Sequence, residues 1–339
     1  MSATPHVEFS LRAGTGEIRL NRPEELNALT LEMVEAIDRQ LTEWAGDPKV
    51  TGIVISKKTG DAFCAGVDQR ALYHAIQSGD REYGAVFFRR FYQMLYRIAQ
   101  SKKPIVAVMD GVTMGGGVSL AGHCRIRVGT RNTYLAFADC KVGYFPDGGA
   151  AFYYNQCPGE IGMFLALTGV ALRARGLFRA GLITHMVPED RVALITPLLV
   201  NELSLPPPVS TLADIEPHIN QTFGLGSVAE IMGVLAARGG EWAKGTLAQL
   251  TPQSPTSLAL TYRHLRSAKG QPLQAVLKTD YRLSQHLIDG HDFQEGIRAY
   301  VIDRDDKPVW QPGELRAVSD AALDALFAPL DRGMEWSPD

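Results

Sequence analysis

The chain has 339 residues, 45% of them hydrophobic, with 34 Lys and Arg against 37 Asp and Glu and a net charge of −3. That composition supplies a large core, either one big domain or a domain with an appended lobe, and the near-balanced charge without single-sign blocks excludes a nucleic-acid footprint. No apolar run reaches the length of about 18 residues that a membrane span needs. The opening MSATPHVEFS has neither a basic, apolar secretory signal nor an Arg-rich transit pattern, so it offers no targeting signal.

Cys64, Cys124, Cys140 and Cys157 form no CxxC pair and no zinc-finger spacing with histidines. They are expected to be reduced thiols of an intracellular protein, with no metal site. In chain order, residues 7–11 and 17–20 are short alternating runs joined by AGTG, which predicts a hairpin. Thr30 is placed to cap a helix with Val34, Ile37, Leu41 and Trp44 on one face. GIVISKK (52–58) and PIVAVMDG (104–111) have the β-branched character and length of strands, and CRIRVGTRN (124–132) reads as another. Between them Phe88, Phe91, Tyr92, Leu95 and Ile98 mark a helix by spacings of three and four. Strands alternating with helices predict crossover units and a mainly parallel sheet layered by helices.

After the linker-like SLPPPVS (204–210) only helix signals remain: Ser227 with Glu230, and Asp292 with Glu295, as capping boxes, and Pro255 near a helix start. The expected organisation is therefore a core at 1–203 and a mostly helical C-terminal region at 204–339. No repeat or low-complexity tract interrupts it.

Two strand-to-helix turns carry the chemistry. DGVTMGGGVSLAG (110–122) ends a strand in three glycines, and GDAFCAGVDQRAL (60–72) follows another strand into a helix signal. Backbone N–H groups at such turns can converge on an oxyanion; the alternative is tight packing of helix on strand. The spacing fits neither the dinucleotide fingerprint nor a P-loop. No HExxH or GxSxG string occurs, which argues against zinc hydrolysis and a serine thioesterase. Cys64 has no neighbouring base and reads as core.

Asp139 and Asp147 stand eight residues apart in the apolar stretch YLAFADCKVGYFPDGGAAF. As bare sequence, Asp147 is the acid of a Pro-Asp-Gly-Gly turn and Asp139 a helix or loop cap.

NRPEELNALT (21–30), AFCAGVD (62–68), DGVTMGGGVSLAG and GYFPDGGA (143–150) together resemble, in order, the crotonase or enoyl-CoA hydratase/isomerase superfamily. SPTSL (254–258), DYRLSQ (280–285) and GHDFQEGIRAYVIDRDDKPVW (290–310) are similar to its 3-hydroxyisobutyryl-CoA hydrolase branch, the enzymes of valine catabolism. The resemblance covers about residues 7–315 and implies an α/β fold, a crotonase-like ββα superhelix with mainly parallel sheets and a helical C-terminal region.

It further implies hydrolysis of a short branched or β-hydroxy acyl-CoA thioester. Main-chain N–H groups of Val67 and Gly116 would form the oxyanion hole, and Asp139 and Asp147 would be catalytic. Leu26, Ala65, Asp68, Phe91 and Gly115 would bind substrate. The CoA thioester is substrate, with no cofactor, metal, nucleic acid or membrane involved and a homo-oligomer allowed. The compartment implied is intracellular, the mitochondrial matrix in a eukaryote and the cytoplasm otherwise.

The sequence also departs from the pattern. Asp139 stands where the branch has Glu, retracting the carboxylate by roughly 1.5 Å; this is compensated by the backbone, tuned to another acyl group, or a mark of weakened activity. Arg90 and Phe91 stand where the branch has acids, favouring a less polar acyl group if Phe91 is pocket wall rather than core. Ser119 occupies the slot of a second hydratase acid, which disfavours simple hydration. Glu24 and Glu25 replace a basic residue, leaving Arg22, Arg70, Lys102 and Lys103 as candidates for the CoA phosphates. The alternatives are an enoyl-CoA hydratase/isomerase, or a catalytically weakened acyl-CoA-binding homologue.

Overall fold

The computed structural model describes residues 5–331 and 333–338, so residues 1–4, 332 and 339 of the expected ranges lie outside the described residues. Two compact units emerge: Met1–Asp68 with Arg90–Ala136 and Ala171–Leu212, and Gln69–Arg89 with Phe137–Val170 and Ala213–Asp339.

Among the described residues the first unit holds ten strands: β1 (Val7–Arg12), β2 (Thr15–Leu20), β3 (Gly52–Lys57), β4 (Ala62–Cys64), β5 (Ile105–Met109), β6 (Val112–Met114), β7 (Ile126–Gly129), β8 (Tyr134–Ala136), β9 (Leu172–Arg173) and β10 (His185–Met186). They form a six-stranded sheet, β1-β2-β3-β5-β7-β10, and a four-stranded sheet, β4-β6-β8-β9. The β1/β2 hairpin is antiparallel, closed between Arg12 and Thr15 as the sequence predicts, and β8/β9 is antiparallel too. Every other pairing is parallel, with Ile18 beside Ile55 and Ile55 beside Ala107. Strand alternation sends Val54, Val106, Val108 and Val128 to one face, where they bury against Val187, Ile195 and Val200.

The helix Leu31–Gly46 starts where expected, the Thr30 hydroxyl accepting from the Met33 N–H, and buries Met33, Val34, Ile37, Leu41 and Trp44. Its C-terminal carbonyls are met by Lys103, whose ammonium donates to the Trp44 and Asp47 carbonyls. The helix Arg81–Gln100 divides between the units, with Phe91, Tyr92, Leu95 and Ile98 buried in its first-unit half.

In the second unit among the described residues the elements are helical, including Ile161–Thr168, Val228–Arg238, Pro255–Ala268, Leu273–Leu287 and His291–Ile297. Ser227 caps Val228–Arg238 through the Glu230 N–H, although the Glu230 carboxylate returns to the Gly226 N–H rather than to Ser227. Ser254 caps Pro255–Ala268 through the Ser257 N–H. The expected box at Asp292 and Glu295 is not formed. Gly290 occupies the cap position, and the Asp292 carboxylate instead accepts from the Ser254 hydroxyl at 2.6 Å and the Gln311 N–H at 2.8 Å. Donors distant in sequence thus hold the carboxylate in place of the local one.

The glycine run packs the helix Gly116–Gly122 directly on β4: a Cβ at Gly117 would lie 2.2 Å from the Cys64 carbonyl oxygen. The oxygen is backbone and a Cβ is fixed directly to its Cα, so neither can rotate away. Gly117→Ala is expected to lose about 1–3 kcal/mol, read as a lower urea midpoint at unchanged slope; an unshifted midpoint contradicts this packing.

Candidate active site

Parallel neighbours β4 and β6 end at the same edge of the small sheet, so the turns that follow them meet. After β4 the chain is laced to the loop before the first long helix. The Ala65 N–H donates to the Leu26 carbonyl, Leu29 to Gly66, and Asp68 to Leu29, with Leu29 and Val67 forming a parallel bridge. Asn27, fully buried and at φ 57°, steadies this loop by donating to the Ala62 carbonyl and accepting from the Arg22 N–H.

Gly66 adopts φ +109°, and a Cβ there would sit 3.2 Å from the Met114 carbonyl and 3.3 Å from the Gly116 nitrogen. Gly115, at φ +44°, donates to the Ala136 carbonyl, which leaves Gly116 as the first residue of its helix. The Val67 nitrogen lies 3.4 Å from the point where a Gly116 Cβ would stand. Among the described residues neither the Val67 nor the Gly116 N–H has a hydrogen-bond acceptor. Two such donors side by side suit an external oxygen. The Phe91 ring tip and Val67 Cγ1 approach the same Gly116 point at 3.2 and 3.0 Å, so the fully buried Phe91 is both core and neighbour of these donors.

Leu26 is 45% exposed at the rim of this loop, and Asp68 is ion-paired with Arg22 at 2.8 Å. Of the four cations considered for CoA phosphates, Arg22 is thus committed to Asp68 and Lys103 to a helix end, whereas Arg70 and Lys102 are exposed. Ser119 is wholly buried. Cys64 is also buried, which pushes its thiol up to about 12 and removes it as a nucleophile at neutral pH.

The acids belong to the second unit. Asp139 opens the 3-10 turn Asp139–Val142, and Gly143 closes it at φ +70°, where a Cβ would lie 2.0 Å from the Asp292 carbonyl oxygen. The turn is clamped from outside: the Ser254 N–H donates to the Cys140 carbonyl at 3.1 Å, and Cys140 Sγ meets the Thr261 hydroxyl at 3.3 Å. Asp139 and Asp147 are 8% and 3% exposed.

Burial holds the Asp139 carboxyl well above the usual carboxylate range, and the charge of Asp147 raises it further. One Asp139 oxygen, Oδ2, is buried without a hydrogen-bond partner. Tyr154 lies near enough that the Asp139 charge adds to the burial raising its phenol. Tyr144 Oη donates to Asp147 at 3.5 Å, its ring packed on Phe88, Phe145 and Phe293. Sequence reading gave no role to Tyr144, Tyr154, Thr261, or the buried pair His264 and Asp280, although Tyr144 lies in GYFPDGGA and Asp280 opens DYRLSQ, because what each touches is set only by folding. Among the described residues no group of three His, Cys, Asp or Glu is arranged to hold a metal, and no helix is long and apolar enough to cross a membrane.

Two mostly parallel sheets layered with helices and followed by further helices define a crotonase-fold protein. A carnitinyl-CoA dehydratase from Mycobacterium thermoresistibile matches at TM-score 0.93 and 30% identity, covering 99% of this chain and 100% of that one. An enoyl-CoA hydratase from Rhodobacter sphaeroides 2.4.1 matches at 0.92 and 36%, covering 98% and 100%. The chain belongs to the enoyl-CoA hydratase/isomerase family, whose model matches residues 15–327. Among curated relatives, the mitochondrial 3-hydroxyisobutyryl-CoA hydrolase of Homo sapiens is 38% identical, with 97% of this chain and 90% of that protein covered. That of Gallus gallus is 40% identical, with 96% and 89% covered.

A raised carboxyl pKa makes a pH prediction about stability. The native state favours protonated Asp139, so its contribution is fully present below the ordinary 3.8 and is lost as pH rises through the raised native value. Asp139→Asn removes that loss. Its melting temperature is expected to match wild type near pH 4 and to exceed it increasingly toward pH 8; parallel curves would contradict the burial cost.

Proposed function

We propose that this protein hydrolyses a short branched or β-hydroxy acyl-CoA thioester, with 3-hydroxyisobutyryl-CoA the first substrate to test. The observation that carries the reading is the buried pair Asp139 and Asp147, with its unpartnered carboxyl oxygen, standing at the positions where the hydrolase branch places its acids. The curated relatives' names support the same reaction.

In this reading the thioester carbonyl oxygen accepts from the Val67 and Gly116 N–H groups, which stabilise the negative charge that grows as the carbon becomes tetrahedral. Asp139, whose proton affinity burial has raised, takes the acid–base part, either by attacking the carbonyl carbon or by removing a proton from the attacking water. Asp147 orients the other reactant and raises Asp139. The C–S bond breaks, the CoA sulfur leaves as a thiol with a proton, and the acyl carbon gains the water oxygen. The CoA thioester is the substrate, and no cofactor enters. Phe91, where the branch has an acid, favours acyl groups no more polar than a hydroxy-branched one. The compartment assigned is intracellular, the mitochondrial matrix in a eukaryote and otherwise the cytoplasm.

A thiol-release assay across short acyl-CoA esters tests this. Asp139→Asn and Asp147→Asn are each expected to lower kcat by about 10²–10⁴-fold while CoA still binds. Absence of turnover with any short ester, CoA binding being intact, defeats the hydrolase reading; water addition to an enoyl-CoA without thiol release replaces it with hydration. Asp139→Glu is expected to lose activity, because a longer side chain overfills a buried turn; a gain on the order of 100-fold would identify a decayed site instead.

A further inference from the structure

The turn that carries Asp147 is followed by Gly148 and Gly149, both in the left-handed region at φ 62° and 81°. Two successive glycines leave the backbone free to swing unless something outside holds it. Asp280, on the helix Leu273–Leu287 and fully buried, supplies that hold: its Oδ2 accepts the Gly149 N–H at 2.7 Å. Its Oδ1 accepts from Nε2 of His264 at 2.6 Å. A carboxylate only accepts, so Nε2 carries the proton. The His264 ring, 1% exposed on the helix Pro255–Ala268, also meets Phe145 edge-on at 5.8 Å.

The pair thus grips the chain two residues before and two residues after Asp147. Burying a carboxylate is costly, and an apolar pair of similar volume fills such a space without that cost. The Oδ1 and Oδ2 geometry, divided between one side chain and one backbone amide, points to orientation of the turn.

We propose that Asp280 and His264 are positioning residues that fix the Asp147 carboxylate for the reaction. The proposal rests on the assignment of Asp147 as catalytic. Displacing a reacting group by about 1 Å costs on the order of 100-fold, which sets the scale of the effect.

The test uses the full chain, thiol release from 3-hydroxyisobutyryl-CoA or the best ester found, and thermal unfolding of each variant. Asp280→Asn is expected to lower kcat by about 10–100-fold with KM changed less than about twofold. Asp147 would then no longer be held in its native place beside Asp139, whose proton affinity its charge raises, so the acid limb of the pH–rate profile should shift. Tyr154 and Cys140, on which the Asp139 charge also acts, are untouched by the substitution. His264→Gln keeps a donor toward Asp280 and should retain most activity, whereas His264→Leu should fall as Asp280→Asn does. Equal kcat in the two His264 variants overturns the proposal, even if Asp280→Asn does not fold. A folded Asp280→Asn with wild-type kcat and pH profile overturns it as well, as does a rate loss that merely tracks the unfolded fraction. Asp147→Asn run in parallel separates the two readings: activity there defeats the catalytic assignment itself, while its loss alongside an unaffected Asp280→Asn defeats only the positioning.

Discussion

The constraint on which the second unit depends is the withdrawal of the Asp139 carboxyl from water. Among the described residues it has no ion-pair partner, and one oxygen has no hydrogen bond at all. A group kept in that condition tends to escape toward solvent, and the surrounding contacts prevent it. Ser254 fixes the Cys140 carbonyl, Asp292 fixes the Ser254 hydroxyl, and Gly143 lets the helix His291–Ile297 come against the turn. The motifs SPTSL and GHDFQEG thus hold this turn through Ser254 and Asp292. Buried polar groups of this kind persist where their proton affinity is useful.

Much of the first unit could be read from its residues. The β-branched runs at 52–57 and 105–109 and the apolar stripe of Leu31–Gly46 each carry a period that only one kind of element satisfies. The short strands β4, β6, β8, β9 and β10, two or three residues long, carry no period and escape such reading. Their existence follows from neighbours in the small sheet and beside β7. At the site, the two glycine turns were legible because glycine marks close backbone approach, as Gly66 and Gly117 show. The Asp292 and Glu295 spacing looked like a cap because three-residue spacing cannot reveal a partner 38 residues away, and Ser254 is that partner. Lys103 looked like a phosphate ligand for the same reason; its acceptors, Trp44 and Asp47, lie in another part of the chain. His264 and Asp280 show the limit most plainly, since only folding brings the Gly149 amide to a carboxylate 131 residues away.

The two solved structures matched above are a dehydratase and a hydratase, whereas the curated relatives are hydrolases. A shared fold does not choose between these reactions, because all of them need a polarised thioester oxygen and differ in what stands beside it. In the proposed reading the choice rests on three side chains: buried Ser119 in place of a second hydratase acid, and the carboxylates of Asp139 and Asp147.

The clamp on the Asp139 turn has a consequence for how the molecule is made. Its fasteners, Ser254 and Asp292, are synthesised more than a hundred residues after the turn that they secure. During translation the amide-bearing turns therefore emerge well before the residues that lock the acid turn. The clamp is complete only once the segment that carries both Ser254 and Asp292 has been made.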